Sequence, residues 1–437
     1  MRNILPNPEE VMVYCGQMNL QHAFGSLRRY GIRGAFDFLL GHVRRSAFRR
    51  KMAATLITDP NWRPQPGMTV VGNMSFSGSL SKVLRDLVIR LKACGIPCQA
   101  FDTGSDAAIP SAEYADLLTP PSEFRLNRYT DIVGMFALPP LPETGCRLSR
   151  IGFWEFESGL REGNPEFMEK TEVVVTSLFN RQVFRKLLPS DIPVTKILYP
   201  FQFNVRNAIS PETIRVRYGL APEDFVVFFN FDYASSYYRK NPEGVLKAFA
   251  CALGDRADAK VVFKTMRAKA RPRYAAQLHA LATELGIASR VVFVENFVPQ
   301  DELVALTAAC DAYISLHRGE GFGLGIAEAM KLGKPVIVTD YSAPTEFCNS
   351  ENALLVPYSI VSVKDAERDV DAYRHVKTWA EPDLAAAAAA LRRLYEDRDF
   401  ARALGAKGQA FIDTYFSDEA FKKSIKGFLA RHLSSFS

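Results

Sequence analysis

Short apolar segments alternate with amphipathic segments along this chain, and the alternation starts twice. The first series opens with the buried-type strand Met68–Asn73, then shows helical periodicity over Ser79–Cys94 and a second strand at Cys98–Asp102. The second series opens with the strand Phe225–Phe231 and the helix Pro242–Leu253. A strand, a helix and a further strand form a parallel βαβ unit. We therefore predict an α/β protein with two doubly wound halves, each offering a carboxyl edge of parallel strands where a ligand can bind.

The length and composition fit this division into domains. The chain has 437 residues, of which 48% are hydrophobic and 23% charged, and this balance is typical of globular proteins. We predict an N-terminal extension over residues 1–66 and a Rossmann-like domain over residues 67–205. A second Rossmann-like domain is predicted over residues 206–408, followed by closing helices over residues 409–437 that cross back to the first domain.

The cysteines and the apolar segments bear on the compartment. Seven scattered cysteines form no disulfide framework, which favours a reducing environment. Cys94 and Cys98 are four residues apart, but no second pair or nearby histidine completes a zinc site, so we predict no metal centre. No apolar run reaches the ~20 residues that span a bilayer, and the first residues lack the apolar core of a signal peptide. We expect a cytoplasmic protein.

Positive charge is concentrated in residues 20–51. This segment holds eight Lys and Arg residues and one acid, Asp37, so its net charge is +7, whereas the whole chain carries +6. Aromatic residues such as Phe24, Tyr30 and Phe48 lie between the basic ones. This pattern suits an anionic membrane surface, which would make the protein peripheral on the cytoplasmic face, or an arm whose aromatics pack on the body. We weigh these two equally and predict no nucleic-acid partner.

The most informative stretch runs from Ser315 to Pro344. A buried strand ends at Leu316 and leads into a loop with glycine at every second position from 319 to 325, which lets the backbone approach a ligand closely. A helix follows, and the free amides and positive dipole of its first turn favour a diphosphate. We therefore predict a phosphate-binding helix start at this sheet edge.

Two glutamates flank this helix start. Glu320 precedes it, and Glu328 lies within its first turns. Because carboxylates repel phosphate, we expect them to accept hydrogen bonds from hydroxyl groups, with a sugar at one end of the ligand and a ribose at the other. The alternative is a glycine-rich turn with solvated glutamates, and the pairing of two glutamates with a helix start disfavours it.

The motif E-G-F-G-x-x-x-x-E-A-M, from Glu320 to Met330, resembles the signature of the retaining glycosyltransferases of family 4. The resemblance continues through Gly333–Ile337 and extends diffusely from about Met68 to the C-terminus. It implies the GT-B fold, in which two Rossmann-like domains face each other across a cleft, here with an N-terminal helical extension. The first domain would hold the acceptor, and the second would hold the nucleotide-sugar donor.

The resemblance also assigns roles in donor binding. Glu320 would bind hydroxyls of the transferred sugar, and Glu328 would bind the ribose. Lys240 matches the family's phosphate-binding lysine. The family's usual arginine is absent, so Arg239 is a candidate substitute. An exposed helix-cap charge is the alternative for both Arg239 and Lys240. The remaining candidates for donor contacts are Lys264, Phe297, Val298, His317, Gly321, Phe322, Gly323, Leu324, Gly325 and Ile326. For His317 a structural role is an equal alternative.

On the acceptor side, the resemblance indicates the loop after the first strand, with Ser77, Gly78 and Ser79. Trp154 stands where the family commonly has a histidine, and Glu155 follows it, a pair found in some members that build polysaccharides. Packing in the core is an equal alternative for Trp154, whereas a core position is less favourable for Glu155. Glu155 therefore joins Glu320 and Lys240 in the predicted catalytic set.

The resulting prediction is a metal-independent, retaining glycosyltransferase of polysaccharide or glycoconjugate biosynthesis. Cations and helix amides would stabilise the leaving diphosphate, so we expect no cofactor beyond a UDP- or GDP-linked donor, which is the substrate. The acceptor is predicted to be a glycan or a lipid-linked glycan. Two alternatives stay open, a nucleotide-sugar epimerase on the same fold and a catalytically inactive GT-B scaffold.

Overall fold

The computed structural model describes residues 63–75, 78–104, 114–120, 122–135, 146–160, 171–203 and 209–433. The predictions for the basic segment 20–51 and for Ser77 lie outside these residues. Within the described ranges, no helix is both long enough and apolar enough to cross a membrane.

The first half is built on a six-stranded parallel sheet. Its strands are β1 (Gln65–Gly72), β2 (Cys98–Asp102), β3 (Tyr129–Met135), β4 (Arg147–Ile151), β5 (Glu172–Val175) and β6 (Val194–Lys196). They lie in the order β2-β1-β3-β4-β5-β6. Two α-helices, α1 (Ser79–Ala93) and α2 (Leu178–Leu187), connect strands of this sheet. Val70 and Val71 point to opposite faces of β1, and both are fully buried, so the sheet is covered on both sides.

The sequence of α1 explains both its formation and its end. Apolar residues recur at helical spacing and form one buried face, which consists of Val83, Leu84, Leu87, Val88 and Leu91. Gly95 adopts a φ of 67° just after the helix, a left-handed conformation that glycine tolerates and that stops the helix. The helix therefore ends one residue before the predicted limit at Cys94.

The second half repeats this architecture. Its strands are β7 (Phe225–Asp232), β8 (Ala259–Met266), β9 (Val291–Val294), β10 (Ala312–Ser315), β11 (Val336–Thr339) and β12 (Leu354–Val356). All run parallel, in the order β12-β11-β10-β7-β8-β9. Its helices are α3 (Pro211–Arg217), α4 (Tyr237–Lys240), α5 (Pro242–Leu253), α6 (Pro272–Glu284), α7 (Gln300–Ala309) and α8 (Leu324–Lys331). The structure therefore confirms the prediction of two doubly wound α/β halves.

An antiparallel hairpin joins the two halves, and the sequence analysis did not predict it. Its strands are β13 (Tyr358–Ser362) and β14 (Thr378–Pro382). Trp379 of β14 shares an apolar cluster with Trp154 and Phe156, which follow β4 in the first half. The hairpin therefore extends the core of the first half with residues from the second.

Three helices close the chain, α9 (Leu384–Glu396), α10 (Arg398–Tyr415) and α11 (Asp418–Leu433). The last of them lies against α1 of the first half. Arg90 of α1 donates from Nη2 to the carbonyl oxygen of Ser417 at 2.7 Å, and its guanidinium lies 4.8 Å from the ring centre of Phe421. The C-terminal helices thus return to the half in which the described chain begins.

Candidate active site

A cavity of about 520 Å³ lies between the two halves, where the carboxyl ends of their central strands face each other. Beside this cavity, the glycine-rich loop of the second half contacts the segment that follows β4 in the first half. A Cβ atom at Gly319 would lie 2.6 Å from the carbonyl oxygen of Glu155, so this close approach requires glycine. Asn180 of α2 accepts from the Trp154 amide at 2.7 Å and donates to the Gly321 carbonyl at 3.1 Å. The glycine-rich loop is therefore anchored to the first half.

The start of α8 faces this cavity. Gly323 precedes the helix with a φ of 91°, and no side chain of the described residues caps the first turn. The amides of Leu324, Gly325 and Ile326 have no carbonyl one turn earlier to accept from them, because they begin the helix. These residues line the cavity. An anionic group in the cavity would meet unpaired N–H donors and the positive end of the helix dipole.

Glu320 is buried, with 8% of its surface exposed, and it is held by two cations. Lys240 Nζ contacts its Oε1, and Arg239 Nη1 lies 3.4 Å from its Oε2. The Glu320 amide also donates to Ser342 Oγ at 2.8 Å, which fixes the backbone. Burial alone would raise the pKa of this carboxyl, but Lys240 and Arg239 outweigh it and lower the pKa to about 2. The carboxylate is therefore ionised at neutral pH.

The two cations come from α4, a short helix in a constrained position. Ser236 before it and Asn241 after it have φ values of 72° and 54°, which for residues other than glycine cost of order 1–3 kcal/mol each. Asp369 compensates by accepting from Ser236 Oγ at 2.5 Å and from the Tyr237 amide at 2.8 Å. Asn241 Nδ2 donates to the Leu316 carbonyl at 2.9 Å. The conformation of α4 is thus fixed by contacts distant in sequence.

Arg239 is only 4% exposed, so the interpretation of this residue as an exposed helix-cap charge is wrong. Its guanidinium donates to the carbonyl oxygens of Gly319 and Ser235, each at 2.8 Å. It also lies 4.0 Å from Glu155 Oε1 of the first half. Arg239 therefore links the glycine-rich loop, α4 and the first half, and its remaining interaction with Glu320 is electrostatic.

Arg318 connects α4 to the hairpin, a role that the sequence analysis did not identify. It donates from Nε and Nη2 to the two carboxylate oxygens of Glu381 in β14, at 2.6 and 2.8 Å. Its Nη1 donates to the Tyr238 carbonyl of α4 at 2.7 Å. This bidentate pair fixes the orientation of the Arg318 guanidinium. The hairpin thereby supports the helix that carries Lys240.

Glu328 is the second glutamate of the motif, and it occupies a different electrostatic environment. It lies in α8, lines the cavity and is 9% exposed. Burial raises the pKa of its carboxyl to about 7, although Lys82 of the first half lowers it. Lys82 itself donates to Asp86 at 2.6 Å and to the Gln202 carbonyl at 2.7 Å. At neutral pH Glu328 is therefore poised between its neutral and charged forms.

Lys264 lies near the end of β8 on the cavity wall. Its Nζ donates to the Thr265 carbonyl at 2.8 Å, and within the described part of the chain it forms no ion pair. Burial lowers the pKa of Lys264 to about 8. A buried ammonium without a carboxylate partner favours an anionic ligand, which would restore its charge balance.

Not every predicted residue reaches the cavity. His317 is fully buried and bridges Ser315 Oγ and the Tyr341 carbonyl at 3.1 Å each, while burial lowers the pKa of its imidazole to about 4. Trp154 is 2% exposed and donates from Nε1 to the Ser158 carbonyl, which places it in the core. Phe297 is 63% exposed, and neither it nor Val298 lines the cavity.

The other candidates within the described residues do meet at the cavity. They are Gly78, Ser79, Glu155, Arg239, Lys240, Lys264, Glu320, Gly321, Phe322, Gly323, Leu324, Gly325, Ile326 and Glu328.

Sequence reasoning missed Lys82 and Asn230, which also line the cavity. The signal for Asn230 was a polar residue inside the apolar strand FVVFFNF, and the signal for Lys82 was a charge four residues after Gly78. The described residues contain no group of three or more His, Cys, Asp or Glu that could hold a metal ion.

Comparison with solved structures identifies the fold class as GT-B, as the sequence predicted. HepE of Anabaena, in complex with UDP and glucose, is 16% identical with a TM-score of 0.57, over 84% of this chain and all of that one. Sucrose-phosphate synthase of Thermosynechococcus elongatus is 17% identical with a TM-score of 0.59, over 85% of this chain and all of that one. WaaG, a glycosyltransferase involved in lipopolysaccharide biosynthesis, has a TM-score of 0.53 at 14% identity, over 82% and 99% of the two chains.

Comparison of sequences adds a family match in the second half. Residues 212–373, which include α4, the glycine-rich loop and both motif glutamates, match the family model of the group 1 glycosyl transferases. The serotype-specific mannosyltransferase WbdA of Escherichia coli is 25% identical over 178 residues, 39% of this chain. The alignment spans 20% of that relative's length. The match thus lies in the half that carries most of the charged residues of the cavity.

Proposed function

We propose that this protein is a retaining glycosyltransferase that moves a sugar from a nucleotide-sugar donor to a glycan or lipid-linked glycan acceptor. One observation carries the proposal. A single cavity brings together the uncapped first turn of α8, the cation Lys240 and two buried glutamates with opposite pKa shifts. The group 1 glycosyl transferase match over residues 212–373 supports the same reaction class.

The cavity has a place for each part of such a donor. The diphosphate would lie against the amides of residues 324–326, with Lys240 and Lys264 as neighbouring positive charges. The sugar hydroxyls would donate to Glu320, which is ionised, and the ribose hydroxyls would donate to Glu328. The neighbour HepE is described in complex with UDP and glucose, which supports a nucleotide-sugar donor for this chain too.

Transfer would break the bond between the anomeric carbon and the diphosphate oxygen and form a bond to an acceptor oxygen on the same face of the sugar. The proton of the acceptor hydroxyl would pass to the leaving phosphate, so charge and atoms balance. Negative charge grows on the diphosphate during this step, and preorganised helix amides and Lys240 would stabilise it. We propose that these groups, rather than a metal ion, supply the stabilisation, as in the family 4 enzymes that the motif resembles.

The acceptor would bind on the first-half side of the cavity. Gly78 and Ser79 at the start of α1 line this side, and Glu155 faces the sugar site from it. Glu155 Oε1 lies 4.0 Å from Arg239 Nη1, and the same nitrogen lies 3.4 Å from Glu320 Oε2. Glu155 would therefore orient an acceptor hydroxyl from a carboxylate that shares the Arg239 guanidinium with Glu320. WbdA is a mannosyltransferase and WaaG acts in lipopolysaccharide biosynthesis, which supports a role in polysaccharide or glycoconjugate synthesis. A role in this synthesis would place the protein in the cytoplasm, at or near the cytoplasmic face of the membrane.

The direct test is incubation of the full chain with a panel of UDP-, GDP- and ADP-sugars and glycan acceptors. We expect release of nucleoside diphosphate only with an acceptor, unchanged by EDTA, and a product whose anomeric configuration by NMR matches that of the donor. Glu320→Gln should lower the rate at least ~100-fold. Glu302→Gln is the matched control, since this carboxylate pairs with Arg217 outside the cavity.

Three results would contradict the proposal. Epimerised sugar without transfer would indicate an isomerising enzyme on the same fold. Binding of sugar nucleotides without turnover for any acceptor would indicate an inactive scaffold. A product of inverted configuration would exclude the retaining mechanism while leaving glycosyl transfer in place.

A further inference from the structure

The cavity wall beneath the first turn of α8 carries a polar pair that the donor site described so far does not use. It consists of Asn230 of β7 and Tyr313 of β10. We infer that Asn230 is a further donor-binding residue, whose side-chain amide donates to the diphosphate, and that Tyr313 positions this amide. The inference rests on the proposed function, because it names a contact to the same nucleotide-sugar donor.

The sheet places these two side chains together. β7 and β10 are neighbouring parallel strands, with Tyr313 opposite Phe228. Asn230 lies two residues after Phe228, so its side chain points to the same face of the sheet. Tyr313 Oη donates to Asn230 Oδ1 at 2.7 Å. Tyr313 is 3% exposed, whereas Asn230 is half-buried on the cavity wall.

This hydrogen bond fixes the orientation of the Asn230 amide. Because Oδ1 accepts from the tyrosine hydroxyl, the Nδ2 group points in another direction, and both of its hydrogens are donors. Among the described residues, no acceptor is bonded to Nδ2. The cavity is lined by more Lys and Arg than Asp and Glu residues, so an anionic oxygen that bound there would give the two N–H groups a partner.

The pair also lies next to the amides proposed to hold the diphosphate. A Cβ atom at Gly325 would lie 2.5 Å from both Asn230 Oδ1 and Tyr313 Oη. Gly325 is the second residue of α8, so the pair sits directly against the helix start. A glycine at this position lets the helix amides and the Asn230 amide approach the same ligand. Asn230 would thus add a neutral donor to a site otherwise formed by backbone and cations.

The test is calorimetry on the full chain with the nucleoside diphosphate that binds best and with its nucleoside. Asn230→Asp keeps the shape but replaces the N–H donors with an acceptor, and Asn230→Ala removes the side chain. We expect both variants to weaken nucleoside diphosphate binding about tenfold or more and nucleoside binding less than about twofold. Thermal unfolding without ligand checks that each variant is folded.

Tyr313→Phe distinguishes a positioning role from a structural one. If Tyr313 acts by orienting Asn230, its removal should weaken nucleoside diphosphate binding about threefold to tenfold in the wild type and have no effect in the Asn230→Ala background. An equal loss in both backgrounds would overturn the positioning role. The rest of the inference would be overturned if Asn230→Ala bound nucleoside diphosphate as tightly as wild type, or lost both ligands equally. A wild-type protein that binds no nucleoside diphosphate would overturn the proposed function itself, and this inference with it.

Discussion

Replacing Glu328 by glutamine should make the ligand-free protein more stable and its donor binding weaker. The carboxyl is buried, and its pKa is raised from an ordinary 4.5 to about 7. A group whose pKa is raised on folding favours the folded state below its unfolded pKa, and this contribution is lost as pH rises through the folded pKa. At pH 8 the folded protein therefore carries a charged carboxylate in a place that favours the neutral form.

The pKa values give the size of the effect. A shift from 4.5 to about 7 corresponds to a penalty of about 3 kcal/mol at pH 8, since each unit is worth about 1.4 kcal/mol. Glu328→Gln is neutral at every pH and of the same shape, so it should be more stable than wild type by up to about 3 kcal/mol at pH 8. At pH 5 the difference should fall below about 1 kcal/mol, because wild-type Glu328 is then protonated.

Glu320→Gln is the matched control, with the opposite sign. The pKa of Glu320 is lowered to about 2, so its contribution to stability is present above pH 4.5 and lost only as pH falls through about 2. This variant should therefore lose about 3 kcal/mol at both pH 5 and pH 8. One motif glutamate stabilises the fold and the other opposes it, although both are glutamates in one cavity.

Urea unfolding of the three proteins at pH 5 and pH 8 measures these differences, and calorimetry measures nucleoside diphosphate binding. Glu328→Gln should bind the nucleoside diphosphate about tenfold or more weakly despite its higher stability. A Glu328→Gln protein less stable than wild type at pH 8, or a stability difference that does not change between pH 5 and pH 8, would refute the electrostatic reasoning.

Three further predictions concern the cations. Lys240→Ala should weaken nucleoside diphosphate binding by about 1.5–3 kcal/mol and spare nucleoside binding, and equal losses by calorimetry would contradict a contact with phosphate. Because the pKa of Lys264 is lowered to about 8, its charge is lost as pH rises through this value; nucleoside diphosphate affinity should fall between pH 7 and pH 9, and Lys264→Met should abolish that fall. Deletion of residues 1–51 should abolish sedimentation with anionic vesicles and leave donor binding unchanged, since each basic residue contributes about 1 kcal/mol at such a surface; a full-length protein that ignores these vesicles would exclude membrane contact through this segment.

The sequence predicted the parts of the site that local patterns determine. Alternating strands and helices specify two parallel sheets, and a glycine-rich strand-to-helix turn specifies where amides face a ligand. Glu320 and Glu328 follow from their spacing around that turn. Their opposite pKa shifts do not, because burial in the folded cavity raises the pKa of Glu328, whereas Lys240 and Arg239, which are distant in sequence, outweigh burial and lower that of Glu320.

The remaining features depend on contacts that one segment alone does not encode. Arg239 and His317 each had a structural alternative. The packing of α4 against the glycine-rich loop places Arg239 at the cavity, whereas a hydrogen bond with the Tyr341 carbonyl holds His317 in the core. Trp154 enters the core because the hairpin brings Trp379 to it. The Arg318–Glu381 pair crosses from the glycine-rich loop to that hairpin, so no spacing in the sequence reveals it.

A crystal structure of the complex with the best-binding nucleoside diphosphate tests the central claim most directly. We predict its phosphate oxygens within hydrogen-bond distance of the amides of residues 324–326, with Lys240 turned from Glu320 toward the phosphate and the ribose hydroxyls on Glu328. A nucleotide bound elsewhere, or one whose phosphates lie away from the start of α8, would contradict the account.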